Sequence, residues 1–377
     1  MTRALTSLRA LVVAVCIAAA LHPSAGRAST LGDLAASMQP GTFAELTPMN
    51  GWNNGGILNP LDVSGCMPSD YITQYSDKAG WDPINQRILY LGQTHGECYA
   101  GRFVSYDVGT NSWAELPWPS YICQSGTQSS PCFDHAYDNN AVDPATGDFY
   151  YRNYNSLTFL HFHNGSWTKL SQPATQNFQC CSALEFFPEM NRLLFLDGDW
   201  GLWAYNPSNG SWAALANTNG ANAVAGLPNL PMSSTAVFAH YDPVLKIVLF
   251  GGGTHLYKLN SSGVITTLKT PPAALGPTNA VVASDPVGGK FIVLAGSAMY
   301  QYDASTDTWT QLAISVPTVL SGLDGVGDGL VSADIPLYGV IMYIKYDNAS
   351  SKVYLYKHSP SPPVLPFPDA PTNVSVQ

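Results

Sequence analysis

The hydrophobic residues of this chain fall in short runs of strand length, each entered through a similar polar turn. Trp81-Asp82-Pro83 precedes the apolar run 87–91, Val142-Asp143-Pro144 precedes 148–151, and Phe187-Pro188 precedes 192–196. Tyr241-Asp242-Pro243 then leads into 246–250, Ser284-Asp285-Pro286 into 290–294, and a degenerate Asp334-Ile335-Pro336 into 340–343. The prolines lie 61, 44, 55, 43 and 50 residues apart. A second turn follows five of them and ends in Trp or an aliphatic: 110–113, 164–167, 209–212, 262–265 and 306–309. Proline fixes the entry to a turn and cannot continue a central strand, so these signals punctuate strands. No segment keeps a helical period.

Each unit therefore reads as four short strands; in the fourth unit they are 236–241, 246–250, 255–259 and 264–268. Units of this size with four strands apiece predict an all-β fold, a β-propeller of six four-stranded blades. The long first interval leaves room for a seventh. The segment 41–48 has the pattern of a unit's last strand, comparable to 113–117, and the sixth unit, 323–357, lacks that strand. The N-terminal strand is expected to complete the last blade and close the ring.

Gly251-Gly252-Gly253 follows a hydrophobic strand, and a tryptophan stands near the end of most units. On these features the region 41–357 resembles the kelch-type blades of galactose-oxidase-like propellers. The resemblance implies architecture and says little about activity.

Residues 1–28 read as a secretory signal, with Arg3 and Arg9 before an apolar stretch and small residues before a cut after Ala28. Residues 29–40 are a lead-in. Residues 358–377 form a proline-rich tail that resembles the start of a missing fibronectin type III module. No later stretch is long and apolar enough for a membrane helix. The expected location is extracellular or periplasmic, and the expected state a monomer. Of 377 residues only 11% are charged, 16 basic against 26 acidic. The acidic balance argues against nucleic acid as a partner. Six cysteines remain after the signal: Cys66, Cys98, Cys123, Cys132, Cys180 and Cys181. An even number in an exported chain points to disulfides. Cys66 with Cys98 and Cys123 with Cys132 are the first pairings to consider. Cys180 and Cys181 then either bridge each other or reach different partners.

In a propeller, the turns between first and second and between third and fourth strands share one face. All the Asp-Pro and Asn-Gly turns fall there. The opposite face collects the long segments 49–70, 92–101, 118–136, 172–182, 216–233 and 269–279, with all six cysteines in or beside them. A site is expected on that loop face. Polar residues gather with it: Asn53 and Asn54 in the first link, His95 in unit one, and Asp134, His135, Tyr137, Asn139 and Asn140 at the inner strand of unit two. Arg152 and Tyr154 follow that unit's second strand, Trp200 lies in unit three and His255 in unit four. His161 and His163, near the short-turn face, read as structural.

Two histidines, a tyrosine and an arginine suit β-elimination from a uronic-acid glycoside. The C5 proton becomes acidic once the neighbouring carboxylate is neutralised, which Arg152 and the Asn139 and Asn140 amides could do. A His or Tyr then takes the proton and another protonates the leaving oxygen. This set resembles the propeller-fold polysaccharide lyases acting on ulvan and rhamnosyl-glucuronate chains. By that resemblance His95 and His135 form the acid/base pair, Tyr154 or Tyr137 assists, and Arg152 binds the carboxylate of an acidic polysaccharide. Asn53, Asn54, Tyr137, Asn139, Asn140, Trp200 and His255 would line the substrate. No cofactor is required. A structural calcium or zinc ion is compatible: Asp197 and Asp199 either cap a turn, the preferred reading, or bind calcium, and His95 with Cys98 reads as half a metal site unless Cys98 is in a disulfide. The rival is a non-catalytic module binding carbohydrate or protein through aromatic residues on its loops. A sialidase needs more arginines than Arg102 and Arg152, and a copper radical oxidase needs a free cysteine.

Overall fold

Six sheets stand around one axis, five of them built from consecutive strands whose first four run antiparallel in simple up-and-down order. The computed structural model describes residues 30–50, 72–92, 101–122, 135–153, 158–174, 181–219, 223–277, 279–321, 329–347 and 350–360. Blade 1 comprises Gly80–Asp82, Arg87–Gly92, Arg102–Asp107 and Ser112–Leu116, and blade 2 comprises Asn140–Val142, Phe149–Arg152, Phe159–His163 and Ser166–Lys169. Blade 3 runs Ala183–Phe187, Arg192–Asp197, Gly201–Asn206 and Ser211–Thr218; a short fifth strand, Asn229–Leu230, pairs in parallel with its outer edge. Blade 4 contains Val237–Asp242, Ile247–Gly252, His255–Asn260 and Ile265–Thr267. Blade 5 contains Val281–Asp285, Lys290–Ala295, Ala298–Asp303 and Thr308–Leu312.

Blade 6 takes three strands from the C-terminal end, Leu330–Ile335, Val340–Asp347 and Ser350–Lys357. Its fourth is the N-terminal Thr42–Leu46, paired Thr42↔Lys357 through Leu46↔Val353. The molecule is a six-bladed β-propeller whose ring is closed by that strand. Closure covers the row of unpaired backbone groups that an edge strand would expose. Phe43 packs on Tyr356 at 4.7 Å between ring centroids. The helix Leu31–Ser37, capped by Thr30, buries Leu31 and Ala35 against blade 6, and the Lys357 ammonium donates to the Ala35 carbonyl at 2.8 Å.

The repeat follows from side-chain chemistry. The aspartate that opens each Asp-Pro turn accepts backbone N–H groups of the turn: Asp82 from Ile84 and Asn85, Asp242 from Val244 and Leu245, Asp285 from Val287 and Gly288. Unit three lacks the aspartate and makes its turn as a 3-10 helix, Pro188–Met190. At the outer hairpin, each tryptophan sits opposite an aromatic residue of the third strand: Trp113 on Tyr106, Trp167 on Phe162, Trp212 on Tyr205 and Trp309 on Tyr302, with centroids 4.5–5.2 Å apart. Such pairs contribute about 0.5–1.5 kcal/mol beyond their area burial.

Between blades, the two faces of each sheet meet their neighbours in apolar layers. Leu89, Leu91 and Phe103 of blade 1 meet Phe149 and Tyr151 of blade 2. Tyr150 and Phe159 meet Phe186 and Phe195 of blade 3, and Leu194 and Leu196 meet Val248 and Phe250 of blade 4. The middle strands are buried on both faces, which is why they read as continuous hydrophobic runs.

Candidate functional site

The ring axis carries the polar chemistry. The segment leading into blade 1 stitches the inner strands together. Ser332 N–H of blade 6 donates to the Asp77 carbonyl and Ala79 N–H donates to Ser332, both at 2.8 Å. Tyr137 N–H donates to the Tyr75 carbonyl at 2.8 Å, and Leu184 N–H of blade 3 donates to Asp138. Side chains of residues 75–78 and 135–139 are thereby delivered to the centre.

Lys78 spans that centre. Its ammonium contacts Asp138 at 2.5 Å and Glu185 at 3.4 Å, and it donates to the backbone carbonyls of Leu184 and, at 2.8 Å, of Ala239. His240 approaches Asp138 at 3.4 Å. Burial works against the Lys78 charge, but Asp138, Glu185 and Asp77 outweigh it, and the ammonium is held above the ordinary lysine value. Burial raises the Asp77 carboxyl well above the carboxylate range, and the Asp138 charge raises it further. Asp334 keeps some solvent contact but is enclosed by protein, and this enclosure raises its carboxyl too. The ammonium is paired directly with Asp138 and Glu185.

Below this crosspiece, toward the short-turn face, lies an axial pocket of about 140 Å³. Trp81, Phe186 and Tyr241 contribute its aromatic lining, and Lys78, Glu185, His240 and Asp334 its polar lining. Pro144, Pro243 and Pro336 of the repeated turns also line it. Glu185 accepts from Phe186 N–H at 2.9 Å and from Tyr241 N–H at 3.2 Å as well as contacting Lys78. Tyr241 donates its hydroxyl to Glu189 at 2.9 Å.

On the loop-face side, His135 is buried, stacked on Tyr75 at 4.3 Å and hydrogen-bonded through Nδ1 to the Tyr137 hydroxyl. Tyr75 and Tyr137 hold φ of 51° and 41°, the left-handed region. Large side chains adopt it at a cost of order 1–2 kcal/mol each. Arg152 is wholly buried; it donates to Ser182 Oγ at 2.8 Å, and Ser182 in turn donates to Asn139 Oδ1 at 2.8 Å. Its guanidinium lies 5.7 Å from the Phe195 ring centroid. Asn140 accepts from Leu91 N–H at 3.0 Å and clamps blade 2 to blade 1.

The structure thus brings His135 together with Tyr137, and Arg152 together with Asn139, at the inner ends of blades 2 and 3. Trp200 lies half-buried in a turn of blade 3, its carbonyl accepting from Trp203 Nε1, and His255 is exposed at the start of a blade 4 strand. Asp197 is buried and accepts Asp199 N–H at 3.0 Å, a turn cap. Cys181 is disulfide-bonded. His95, Tyr154, Asn53, Asn54, Cys66, Cys98, Cys123, Cys132 and Cys180 lie outside the described residues. The sequence reading missed Tyr75, Lys78, Glu185, His240 and the aromatic lining of the axial pocket. Its visible signal was a charged residue inside an apolar inner strand, as in Ala183–Phe187, where Glu185 stands between Leu184 and Phe186.

No family model matches the chain, and no curated protein does. Solved structures resemble it in shape. A Bacteroides ovatus auxiliary nutrient binding protein is 11% identical, with a TM-score of 0.49 over 83% of this chain and 76% of that one. A Bacteroides thetaiotaomicron protein of unknown function is 11% identical, TM-score 0.48, over 83% and 75%. A fungal alcohol oxidase of the AA5 family, in complex with copper, is 11% identical, TM-score 0.42, over 82% and 76%. Likeness at these identities concerns the fold alone.

Proposed function

We propose that the protein is an exported, non-catalytic binding propeller that holds a neutral sugar unit of a carbohydrate chain in its axial pocket on the short-turn face. The observation that carries this reading is the pocket itself, which Trp81 and Tyr241 line together with the polar Glu185, His240 and Asp334. Sugars present apolar C–H faces to aromatic rings and hydroxyls to charged and amide groups, and a few oriented polar groups in an apolar cleft fix such a ligand. Export rests on the signal-like residues 1–28.

Binding is favoured over chemistry because the central charged groups Lys78, Asp138 and Glu185 are already engaged with one another. Glu185 accepts two backbone N–H groups besides contacting Lys78, and Asp138 is tied to Lys78. The lyase reading needs Arg152 to meet a substrate carboxylate, yet its guanidinium is buried and braced by Ser182. A neutral ligand is favoured over a uronate because the lining's single ammonium is already balanced by Asp138 and Glu185, and the whole chain carries net charge −10.

The test is calorimetric titration of the protein with neutral and uronate oligosaccharides, followed by incubation of each with unsaturated-uronate absorbance recorded. Saturable heat with a neutral oligosaccharide and no absorbance is the expected outcome. Unsaturated product from a uronate chain would overturn it in favour of the lyase, and no saturable heat across the panel would remove carbohydrate as the ligand.

A further inference from the structure

The start of the second strand and the end of the third strand of blade 2 present a cluster that the axial site does not use. Asp148 immediately precedes Phe149–Arg152, and His161 and His163 belong to Phe159–His163. The register pairs Tyr150 with His161 and Phe149 with Phe162, which sets Asp148 opposite His163. Residues two apart on a strand share a face, so all three side chains emerge on one side of the sheet.

They converge. His161 Nε2 lies 2.9 Å from Asp148 Oδ2, and His163 Nδ1 lies 2.5 Å from Asp148 Oδ1. One ligand atom from each residue falls within 4.8 Å of the others. In a tetrahedral zinc site, bonds of about 2.0–2.1 Å put ligand atoms about 3.3 Å apart, so small side-chain rotations admit an ion. The other ring nitrogens also have partners: Thr168 Oγ1 lies 3.5 Å from His161 Nδ1, and Asn164 Nδ2 lies 2.7 Å from His163 Nε2. Rotation of the Asn164 amide turns its oxygen to that nitrogen, so that the ring can donate there and ligate through Nδ1. Outer hydrogen bonds of this kind orient metal-binding histidines. Tyr150 stacks on the His161 ring at 4.8 Å and holds its plane. His161 and Asp148 are partly buried and His163 is half-exposed, so the cluster is rigid on one side and open to solvent on the other.

We propose that Asp148, His161 and His163 form a zinc site with a fourth position open to solvent. Two imidazoles and one carboxylate suit Zn²⁺ rather than Ca²⁺ or Mg²⁺, which prefer all-oxygen shells. The open position takes water or a donor group from a partner.

The experiment is equilibrium titration of the untagged mature chain with Zn²⁺ at neutral pH, with Ca²⁺ and Mg²⁺ alongside. Substitution with Co²⁺ supplies a visible spectrum. About one Zn²⁺ per chain is expected, with affinity at least tenfold weaker in the His161→Ala/His163→Ala double variant and in Asp148→Asn. Far-UV circular dichroism checks that the variants keep the fold. Absence of Zn²⁺ binding, unchanged affinity in a folded double variant, or a thiolate-to-cobalt charge-transfer band would each overturn the proposal.

Discussion

Lys78 and Asp138 meet 2.5 Å apart at the centre of the ring, although one precedes blade 1 and the other blade 2. Both side chains are almost fully buried. The ammonium also reaches the carbonyls of Leu184 and Ala239, so one side chain ties the entry to blade 1 to blades 2, 3 and 4. Breaking a buried pair from one side leaves an uncompensated charge, at about 3–5 kcal/mol. Lys78→Met should lower the unfolding free energy measured by urea titration by that order, and adding Asp138→Asn should recover part of the loss. Equal stability of Lys78→Met and wild type would mean that the pair does not hold the ring.

Asp242 gives the fold a pH dependence of defined sign. Burial raises its carboxyl from 3.8 to about 6, against the lowering pull of the Leu245 and Val244 N–H groups. The folded state thus binds a proton that the unfolded chain has released between these values. The stabilisation is complete below about pH 4 and is lost as pH rises through about 6, amounting to at most about 3 kcal/mol. Asp148 runs the other way: burial would raise it, but its hydrogen bonds to His163 and His161 leave it lowered, so its contribution is lost on acidification. Asp242→Asn keeps the turn acceptor and should flatten the wild-type profile between about pH 4 and 6 in urea titrations.

Ring closure rests on Thr42–Leu46. Without residues 30–46, the Ser350–Lys357 strand would present a bare edge, and Tyr356 would lose Phe43. Such edges recruit other chains. Light scattering after size exclusion should show the shortened chain self-associating more than the full chain does.

His135 tests the loop-face reading separately. Its stacking on Tyr75 and its bond to Tyr137 make it a structural clamp of two residues in left-handed conformation. His135→Ala should cost about 1–3 kcal/mol by thermal or urea melting. Its effect on carbohydrate affinity should stay within about twofold.

Blade number, strand order and closure were legible because they rest on local chemistry. The Asp-Pro turns cap themselves, and each outer tryptophan meets an aromatic residue directly across its hairpin. The axial pocket was not. Asn139, Asn140 and Arg152 were read as a substrate shell from their residue types, and the contacts they make between adjacent blades come from parts of the chain far apart in sequence. Lys78 and Glu185 lie 107 positions apart, and only the closed ring makes them neighbours. Trp81 and Tyr241 belonged to turn signals on the face expected to be plain, and they line the axial pocket because their strands are the innermost of their blades.

The most direct measurement compares wild type with Trp81→Ala in calorimetric titration with the neutral oligosaccharide that the wild type binds. Loss of at least tenfold in affinity, with an unchanged melting profile, is the result expected of an axial sugar site. Undiminished binding in the folded variant would place the ligand elsewhere on the propeller and contradict it.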